Sequence, residues 1–230
     1  MAKNTRTQTT EEWWSDYDKT EKPIKPNIGE NSMSLVMKNE GGDFEILPEG
    51  THIATCYLVV DLGNQITTYK GEESVKPQVL ISWECTNEKM SDGRPFVATQ
   101  IYNAFFGEKA KLRLHLESWR GRKFTDQELE GFDVSKLLGV PCQVTITHST
   151  GERTYANVTT VTGLPKGVDA PELENKPLMY DLDNANPETF NELPEWIQKK
   201  ISGRVTDKPQ SVESENPAPQ DDFQDDSIPF

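Results

Sequence analysis

The sequence has little cysteine and no long apolar run. Its three cysteines, Cys56, Cys85 and Cys142, are widely spaced and odd in number, so a disulfide framework is not expected and a reducing compartment is. No apolar stretch reaches the roughly 20 residues of a membrane-spanning helix. The opening residues MAKNTRTQTTEEWW also lack the apolar stretch of a secretory signal peptide. We therefore expect a cytoplasmic protein with no membrane partner.

Patterns typical of metal or catalytic chemistry are also missing. His52 and Cys56 share a predicted strand face, but the remaining histidines and cysteines have no metal-ligand spacing. The stretch GLPKG lacks the length and the hydroxyl of a phosphate-binding loop. A metal-dependent nuclease needs carboxylates on rigid strands, and only Asp61 and Glu84 qualify as candidates. We predict no enzyme activity, no metal site and no cofactor.

Apolar residues are scarce as well, and the charge is uneven. Hydrophobic residues make up 34% of the chain, which is low for a compact domain, so part of the chain is predicted to be unfolded. The net charge is −14, yet residues 50–165 carry 12 basic and 13 acidic side chains. Residues 207–230 carry one basic and seven acidic side chains. The acidity that would oppose nucleic acid binding thus lies mostly outside the segment expected to fold.

Three segments are predicted. Residues 1–43 form a flexible N-terminal arm, residues 44–205 a folded domain, and residues 206–230 an acidic tail of disordered composition. Within the arm, the adjacent Trp13 and Trp14 lie in EEWWSDYD. Exposed tryptophan pairs usually have a use, and the surrounding acids favour docking on protein over stacking on DNA.

Alternation of apolar residues predicts a mainly β domain. We expect strands at 50–63, 76–86, 94–106, 140–150 and 153–165. Between the third and fourth strands, GEKAKLRLHLESWRG predicts a helix that ends at Gly121, and Thr125 with Glu128 predicts the capping box of a second, short helix. A later helix, in NPETFNELPEWIQKKI, is expected to pack its tryptophan on the sheet.

Three strands, a helical insertion and two further strands make the element order of an OB-fold. This fold is a five-stranded Greek-key barrel that binds oligonucleotides on strands 2 and 3 and the adjoining loops. We predict such a barrel, although another small α+β sheet has the same order of elements.

The tail ends in PQDDFQDDSIPF, which places an apolar tripeptide after four aspartates. Phe230 carries a ring and a free carboxylate on one residue, so a partner with an apolar socket beside a basic rim can bind both groups. Upstream aspartates would steer the approach. The predicted partner-binding residues are Asp221, Asp222, Asp225, Asp226, Ile228, Pro229 and Phe230.

This tip resembles the C-terminal tip of bacterial single-stranded DNA-binding proteins, with Ser227 where that family usually has a third aspartate. Residues 44–200 more closely resemble the OB-fold single-stranded DNA-binding proteins of tailed phages, in EGTHIATCYLVVDLG, LESWRGRKFTDQELEGFD, LLGVPCQVT and TYANV. The resemblance implies a phage protein of the host cytoplasm that coats single strands during DNA replication, recombination and repair. It also implies that the tip recruits replication and recombination enzymes.

Single-strand binding needs aromatic faces for bases and cations for phosphates. The candidates for stacking are Tyr57, Tyr69, Trp83, Tyr102, Phe105 and Tyr155. Burial is the competing interpretation for each ring, above all for Trp83, which is in phase with Val79 and Ile81. Tyr69 is favoured as a binding residue, because it lies beside Lys70 in a predicted loop.

Cations suited to phosphates lie at strand ends and in the dense stretch RGRK. The candidates are Lys70, Lys76, Arg94, Arg120, Arg122, Lys123 and Arg153. A solvated surface explains several of them equally well. Two alternatives to a single-strand binder stay open: a protein–protein interaction module whose barrel does not bind DNA, and a single-strand annealing recombination protein.

Overall fold

The computed structural model describes residues 45–149 and 154–206. The predicted N-terminal arm with Trp13 and Trp14, the residue Arg153, and the acidic tail from position 207 onward lie outside these ranges. The described residues are mainly β, as the alternating pattern predicts.

One sheet organises this part of the chain. Its strands are β1 (Gly50–Tyr69), β2 (Glu72–Lys89), β3 (Pro95–Asn103), β4 (Pro141–Ser149), β5 (Tyr155–Thr162) and β6 (Leu178–Tyr180). The first five pair antiparallel in the spatial order β3-β2-β1-β4-β5, and the short β6 pairs parallel with β1. Among the described residues no strand pairing joins β3 to β5, so the sheet is open. The mainly β class is confirmed, whereas a closed barrel is not.

The first two strands form one hairpin that is longer than predicted. Pairing continues past residue 63 as far as Tyr69 and Glu72. Lys70 and Gly71 make the turn, with φ values of 50° and 86°. Positive φ at both central positions is typical of a type I′ turn, whose twist matches that of the flanking strands. Residues 64–77 form strand pairs only with each other, and we call them the hairpin arm.

The helical insertion follows the predicted pattern closely. Helix α1 (Lys111–Arg120) ends at Gly121, whose φ of 72° gives the left-handed C-cap that glycine favours. The short helix α2 (Asp126–Glu130) begins with the predicted capping box between Thr125 and Glu128. A 3₁₀ helix (Val134–Leu137) leads into β4.

The inner face of the sheet and helix α1 enclose the larger hydrophobic core. Trp83 of β2 and Trp119 of α1 meet edge to face in it, with ring centroids 5.9 Å apart. Cys56, Cys85 and Cys142 are all buried there as free thiols. Burial raises the pKa of each thiol above its usual value, so these cysteines act as apolar core residues.

Side chains of α1 connect β3 and β5, the two edge strands of the open sheet. The Lys111 ammonium donates to Gln100 Oε1 on β3, at 2.9 Å, and to the Val158 carbonyl on β5, at 3.0 Å. Burial lowers the pKa of this lysine. The helix thus bridges β3 and β5 where backbone pairing does not.

His115 makes a second bridge across the same gap. Its Nδ1 lies 2.8 Å from the Tyr102 hydroxyl on β3, and its Nε2 lies 3.1 Å from the Thr159 carbonyl on β5. A neutral ring fits this arrangement, with Nε2–H donating to the carbonyl and Nδ1 accepting from the hydroxyl. Burial, followed by the nearby Lys111 ammonium, lowers the pKa of His115 to about 4, although the Thr159 hydrogen bond acts in the opposite direction.

We expect this histidine to make stability depend on pH. Between the ordinary histidine pKa and about 4, the unfolded chain binds a proton at His115 that the folded chain does not. The free energy of unfolding therefore falls as the pH decreases through that window, by at most about 3 kcal/mol. Urea unfolding at several pH values should show this loss in the unaltered protein and a smaller one in His115→Gln. Equal pH dependence of the two proteins would contradict the assignment.

The segment after β5 packs on the outer face of the sheet. This C-terminal extension (residues 163–206) contains β6, α3 (Pro187–Glu192) and α4 (Glu195–Ser202). Together with β1 and β2 it encloses a second hydrophobic core, formed by Tyr57, Leu58, Val60, Leu62, Leu80, Tyr180, Leu193, Ile197 and Ile201. The single helix predicted here is two short ones, because Pro194 interrupts it. Trp196 is 42% exposed, so the expectation that it packs on the sheet is wrong, and Ile197 and Ile201 pack there instead.

Glu84 fastens the extension to β2. This carboxylate is fully buried and accepts hydrogen bonds from the backbone N–H groups of Glu174 and Asn175, each at 2.8 Å. The Asn175 side-chain amide and the Thr86 hydroxyl donate to it as well. Four donors on one buried carboxylate make it a structural anchor rather than a catalytic group.

Candidate nucleic-acid interface

Three of the six predicted stacking residues are buried. Tyr57, Trp83 and Tyr102 are 8%, 1% and 3% exposed. Trp83 and Tyr102 belong to the inner core, and Tyr57 belongs to the core beneath the C-terminal extension. A base stacks only on an accessible ring face. The structure therefore corrects these three predictions: the rings pack the interior.

The other three predicted rings are exposed, but the fold does not gather them. Tyr69, Phe105 and Tyr155 are 70%, 66% and 58% exposed. Tyr69 lies at the end of β1, whereas Tyr155 pairs with Ser149, beyond the start of β1. Only Tyr69 and Phe105 can contribute to a surface around the hairpin arm.

Two of the predicted phosphate-binding arginines form ion pairs with Glu128 of helix α2. The Arg120 side chain is buried, ion-paired with Glu128 and placed 4.4 Å over the Phe124 ring. Arg122 pairs with the same carboxylate at 2.9 Å. Burial opposes the charged form of Glu128, yet the Thr125 N–H and the two arginines lower its pKa to about 2. For Arg120 the prediction of phosphate binding is wrong, because its guanidinium is buried in the helical insertion and contacts Glu128 and Phe124 there.

The remaining cations differ in their freedom to meet a phosphate. Arg94 is exposed but binds Asp92 at 2.6 Å across the β2–β3 turn. Lys70, Lys76 and Lys123 are exposed. Lys70 and Lys76 lie on the hairpin arm, where the Lys70 ammonium contacts the Tyr69 ring. Lys123 follows α1 and precedes Phe124, whose ring packs on Phe106.

The sheet face expected to bind DNA is covered. On the outer face of β2 and β3, Leu80 is fully buried, and Val97 and Ile101 pack partly buried against the C-terminal extension. Ser82 and Thr99 hydrogen-bond to each other on the same face, at 2.8 Å. An open groove across strands 2 and 3 is therefore absent from the described residues, and a nucleic acid would have to contact another surface.

Phe105 is the best-positioned exposed ring. It follows β3 where the Ala104 N–H donates to the Pro77 carbonyl at 2.8 Å, which places it at the base of the hairpin arm. Its ring lies against the backbone of Gly107, where an added Cβ would come within 2.2 Å of a ring carbon. Glycine at position 107 thus lets one ring face rest on the backbone, while the side chain stays largely exposed.

The hairpin arm adds a polar face and an apolar one. Tyr69 and Lys76 share one face, because Lys76 pairs with Gln65 and alternate residues of a strand point the same way. On the same face, the hydroxyls of Thr67 and Ser74 hydrogen-bond to each other at 3.0 Å. At the tip, the Lys70 ammonium lies 5.4 Å from the Tyr69 ring centroid. We call Tyr69, Lys70, Lys76 and Phe105 the arm surface.

The opposite face of the arm carries a feature that the sequence analysis missed. Ile66 and Val75 are a cross-strand pair, 61% and 37% exposed. Their alternation with polar neighbours was a usable signal, since it continues the strand pattern beyond position 63. Such β-branched pairs stabilise two-stranded ribbons.

The described ranges contain no cluster of side chains that could support metal-assisted catalysis. There, no group of three His, Cys, Asp or Glu side chains is arranged to hold a metal ion. Burial raises the pKa of Asp61, although the Gly63 N–H lowers it, and the Glu84 carboxylate is engaged by the C-terminal extension. Across residues 45–149 and 154–206, no helix has the length and apolarity needed to cross a membrane.

No protein family model matches the chain, and no curated protein is significantly similar to it. The assignment of function therefore depends on the residues themselves.

Proposed function

We propose that this protein binds single-stranded DNA without marked sequence preference and catalyses no reaction. The observation that carries the proposal is the arm surface: the exposed ring of Tyr69 lies at the tip of the hairpin arm beside Lys70, the exposed ring of Phe105 lies at its base, and Lys76 lies on the arm between them. Stacking rings and cations are the two requirements of sequence-tolerant single-strand binding. The resemblance to phage single-stranded DNA-binding proteins supports a role in phage DNA replication and recombination.

The proposal includes an OB-fold barrel built from β1 to β5. Its support is the strand order β3-β2-β1-β4-β5, which leaves β3 and β5 to meet when such a sheet curls on itself. Lys111 and His115 each contact both of these strands, which supports closure of the barrel between β3 and β5. In this barrel the DNA would pass the hairpin arm rather than the covered face of β2 and β3.

The proposal also includes recruitment of replication and recombination enzymes by the tip. Its support is the sequence of the last six residues, where Ile228, Pro229 and Phe230 follow Asp225 and Asp226. Partner binding would depend on the Phe230 ring and on the aspartates before it. The tip would act in the host cytoplasm if the chain is encoded by a phage.

Fluorescence anisotropy of labelled oligo-dT tests the DNA-binding proposal. We expect binding at low salt that weakens steeply as salt rises, with log K falling by about 0.7 per neutralised phosphate for each unit of log salt concentration. A duplex of the same length should bind much more weakly. Binding that does not respond to salt, or no binding at low salt, would contradict the proposal.

The Ile66–Val75 pair favours one rival, a protein–protein interaction module. An exposed apolar pair on a two-stranded ribbon suits a protein partner as well as it suits DNA bases. Lack of oligo-dT binding by the full chain would favour this rival. Annealing of complementary oligonucleotides would instead identify a recombination protein, and magnesium-dependent degradation of the oligonucleotide would identify a nuclease.

A further inference from the structure

Helix α4 contacts the hairpin arm where the arm begins. The Gln65 side-chain amide donates to the Lys200 carbonyl at 3.0 Å, and the Val205 N–H donates to the Asn64 carbonyl at 2.8 Å. Gln65 is buried at this contact. The C-terminal end of α4 is therefore held against β1 at the base of the arm.

The arm face at this contact is the polar one, which carries Tyr69 and Lys76. Lys76 pairs with Gln65, and paired residues of an antiparallel sheet point to the same face. Pairing continues without a shift from Gln65 to Tyr69, so these two side chains share that face as well. On β2, Lys76 is also in phase with Leu80, which packs beneath the C-terminal extension. The polar face of the arm thus continues the covered outer face of the sheet, and α4 lies at the border between them.

One side of α4 presents an exposed ring and two cations. Ile197 and Ile201 are buried in the second core, whereas Trp196 is 42% exposed. Lys199 and Lys200 follow Trp196 by three and four positions, and residues at these spacings are neighbours on a helix surface. We call Trp196, Lys199 and Lys200 the α4 surface. An aromatic ring beside cations is the combination that single-strand binding without sequence preference requires.

The two carboxylates nearest to Trp196 in the sequence are ion-paired. Glu195, the one acidic residue of α4, pairs with Lys199 at 2.7 Å. Glu192 of α3 pairs with Lys176 at 3.1 Å. With Lys200, these two pairs carry one net positive charge. The α4 surface therefore attracts a polyanion rather than repelling it.

Charge along the arm favours the same end. Glu72 and Glu73 lie at the tip, where the two strands of the arm join. Lys76 lies nearer the base, where Lys200 and Arg204 of the C-terminal extension are close to the arm. A phosphate backbone on the polar face thus meets more cations toward α4 than toward the tip.

We propose that the single strand bound at the arm surface continues onto the α4 surface. There a base stacks on Trp196, and a neighbouring phosphate pairs with Lys200. This inference rests on the proposed function, because it takes the arm surface to be the first part of the DNA path. The net charge of the α4 surface and its position beside the polar face of the arm favour a nucleic acid over a protein as the occupant.

Photo-crosslinking of the full chain tests the stacking contact directly. In an oligo-dT that carries 5-iododeoxyuridine, irradiation links the modified base to an aromatic side chain that it touches. Mass spectrometry then identifies the linked residue. We expect crosslinks at Trp196, besides those at the arm surface. Saturating binding of this oligonucleotide with no crosslink at Trp196 would overturn the proposal.

Substitutions at position 196 measure the contribution of the ring. Trp196 belongs to neither hydrophobic core, so Trp196→Ala should keep the urea midpoint of unfolding. It should lower the affinity for oligo-dT about 5- to 150-fold, the effect of losing one stacked base. Trp196→Phe keeps a ring and should retain most of the affinity. Tyr155→Ala removes another exposed ring, at the far end of the sheet, and should have no effect.

A lysine substitution tests the phosphate contact. Lys200→Gln should reduce the dependence of log K on log salt concentration by about 0.7, because one neutralised phosphate is lost. Lys123→Gln removes a lysine from the helical insertion instead and should leave this slope unchanged. Equal slopes for Lys200→Gln and the unaltered protein would contradict the phosphate contact.

These measurements distinguish the failure of this inference from that of the proposed function. Salt-dependent binding of oligo-dT that Trp196→Ala leaves intact would remove only the α4 surface from the DNA path. Absence of oligo-dT binding by the unaltered protein would remove both. If Trp196→Ala kept full DNA affinity but converted a dimer to a monomer in sedimentation, Trp196 would belong to a protein interface instead.

Discussion

Replacing Phe105 with alanine should lower the affinity for oligo-dT about 5- to 150-fold, because stacking of one base on an aromatic ring contributes roughly 1–3 kcal/mol in alanine scans. The ring is 66% exposed and belongs to neither hydrophobic core. Its removal should therefore leave the urea midpoint of unfolding unchanged. Anisotropy titrations of the two proteins at one salt concentration give the comparison.

Two further substitutions make this test specific. Gly107→Ala keeps the ring but adds a Cβ that would lie 2.2 Å from a ring carbon, so the ring must move and affinity should fall as well. Leu114→Ala removes an exposed apolar side chain from α1 and should have no effect. Full affinity in Phe105→Ala would show that the arm surface is not the DNA site.

Local patterns in the sequence predicted the elements but not which sheet face each residue packs against. The capping box at Thr125 and the stop at Gly121 depend on a few neighbouring residues, so both could be predicted from sequence and both are present. Alternation along β1 and β2 assigned residues to two faces. It could not show that both faces are covered, because the cover over the outer face is anchored by residues about 90 positions away.

This long-range cover explains the errors in the candidate site. Tyr57 was a reasonable stacking residue for a sheet with one open face, but the C-terminal extension buries it. Arg120 was predicted to contact phosphate from a basic stretch, although Glu128 lies only eight residues later and forms the ion pair. The length of the hairpin was predictable in principle, since Lys70-Gly71 is a good two-residue turn.

Replacing Glu84 with glutamine should destabilise the protein by about 2–4 kcal/mol, since buried donors that lose a charged acceptor cost roughly 1–3 kcal/mol each. The carboxylate is fully buried and accepts from the Glu174 and Asn175 backbone N–H groups at 2.8 Å. A neutral amide has one oxygen, so its NH₂ group would face one of these donors. The loss should appear as a lower urea midpoint with an unchanged m-value if sheet and extension unfold together.

Hydrogen exchange shows where Glu84→Gln weakens the structure. A second glutamine substitution on the same strand serves as the control. Amides of Glu174, Asn175 and β6 should exchange faster in Glu84→Gln, because the anchor between β2 and the C-terminal extension is weakened. Glu88→Gln makes the same change on the same strand, where the carboxylate is 43% exposed beside His52, and should cost less than about 1 kcal/mol. If the two variants were equally stable, Glu84 would not be the anchor. The cover that moves the proposed DNA path from β2 and β3 to the hairpin arm would then depend on the apolar contacts of the second core.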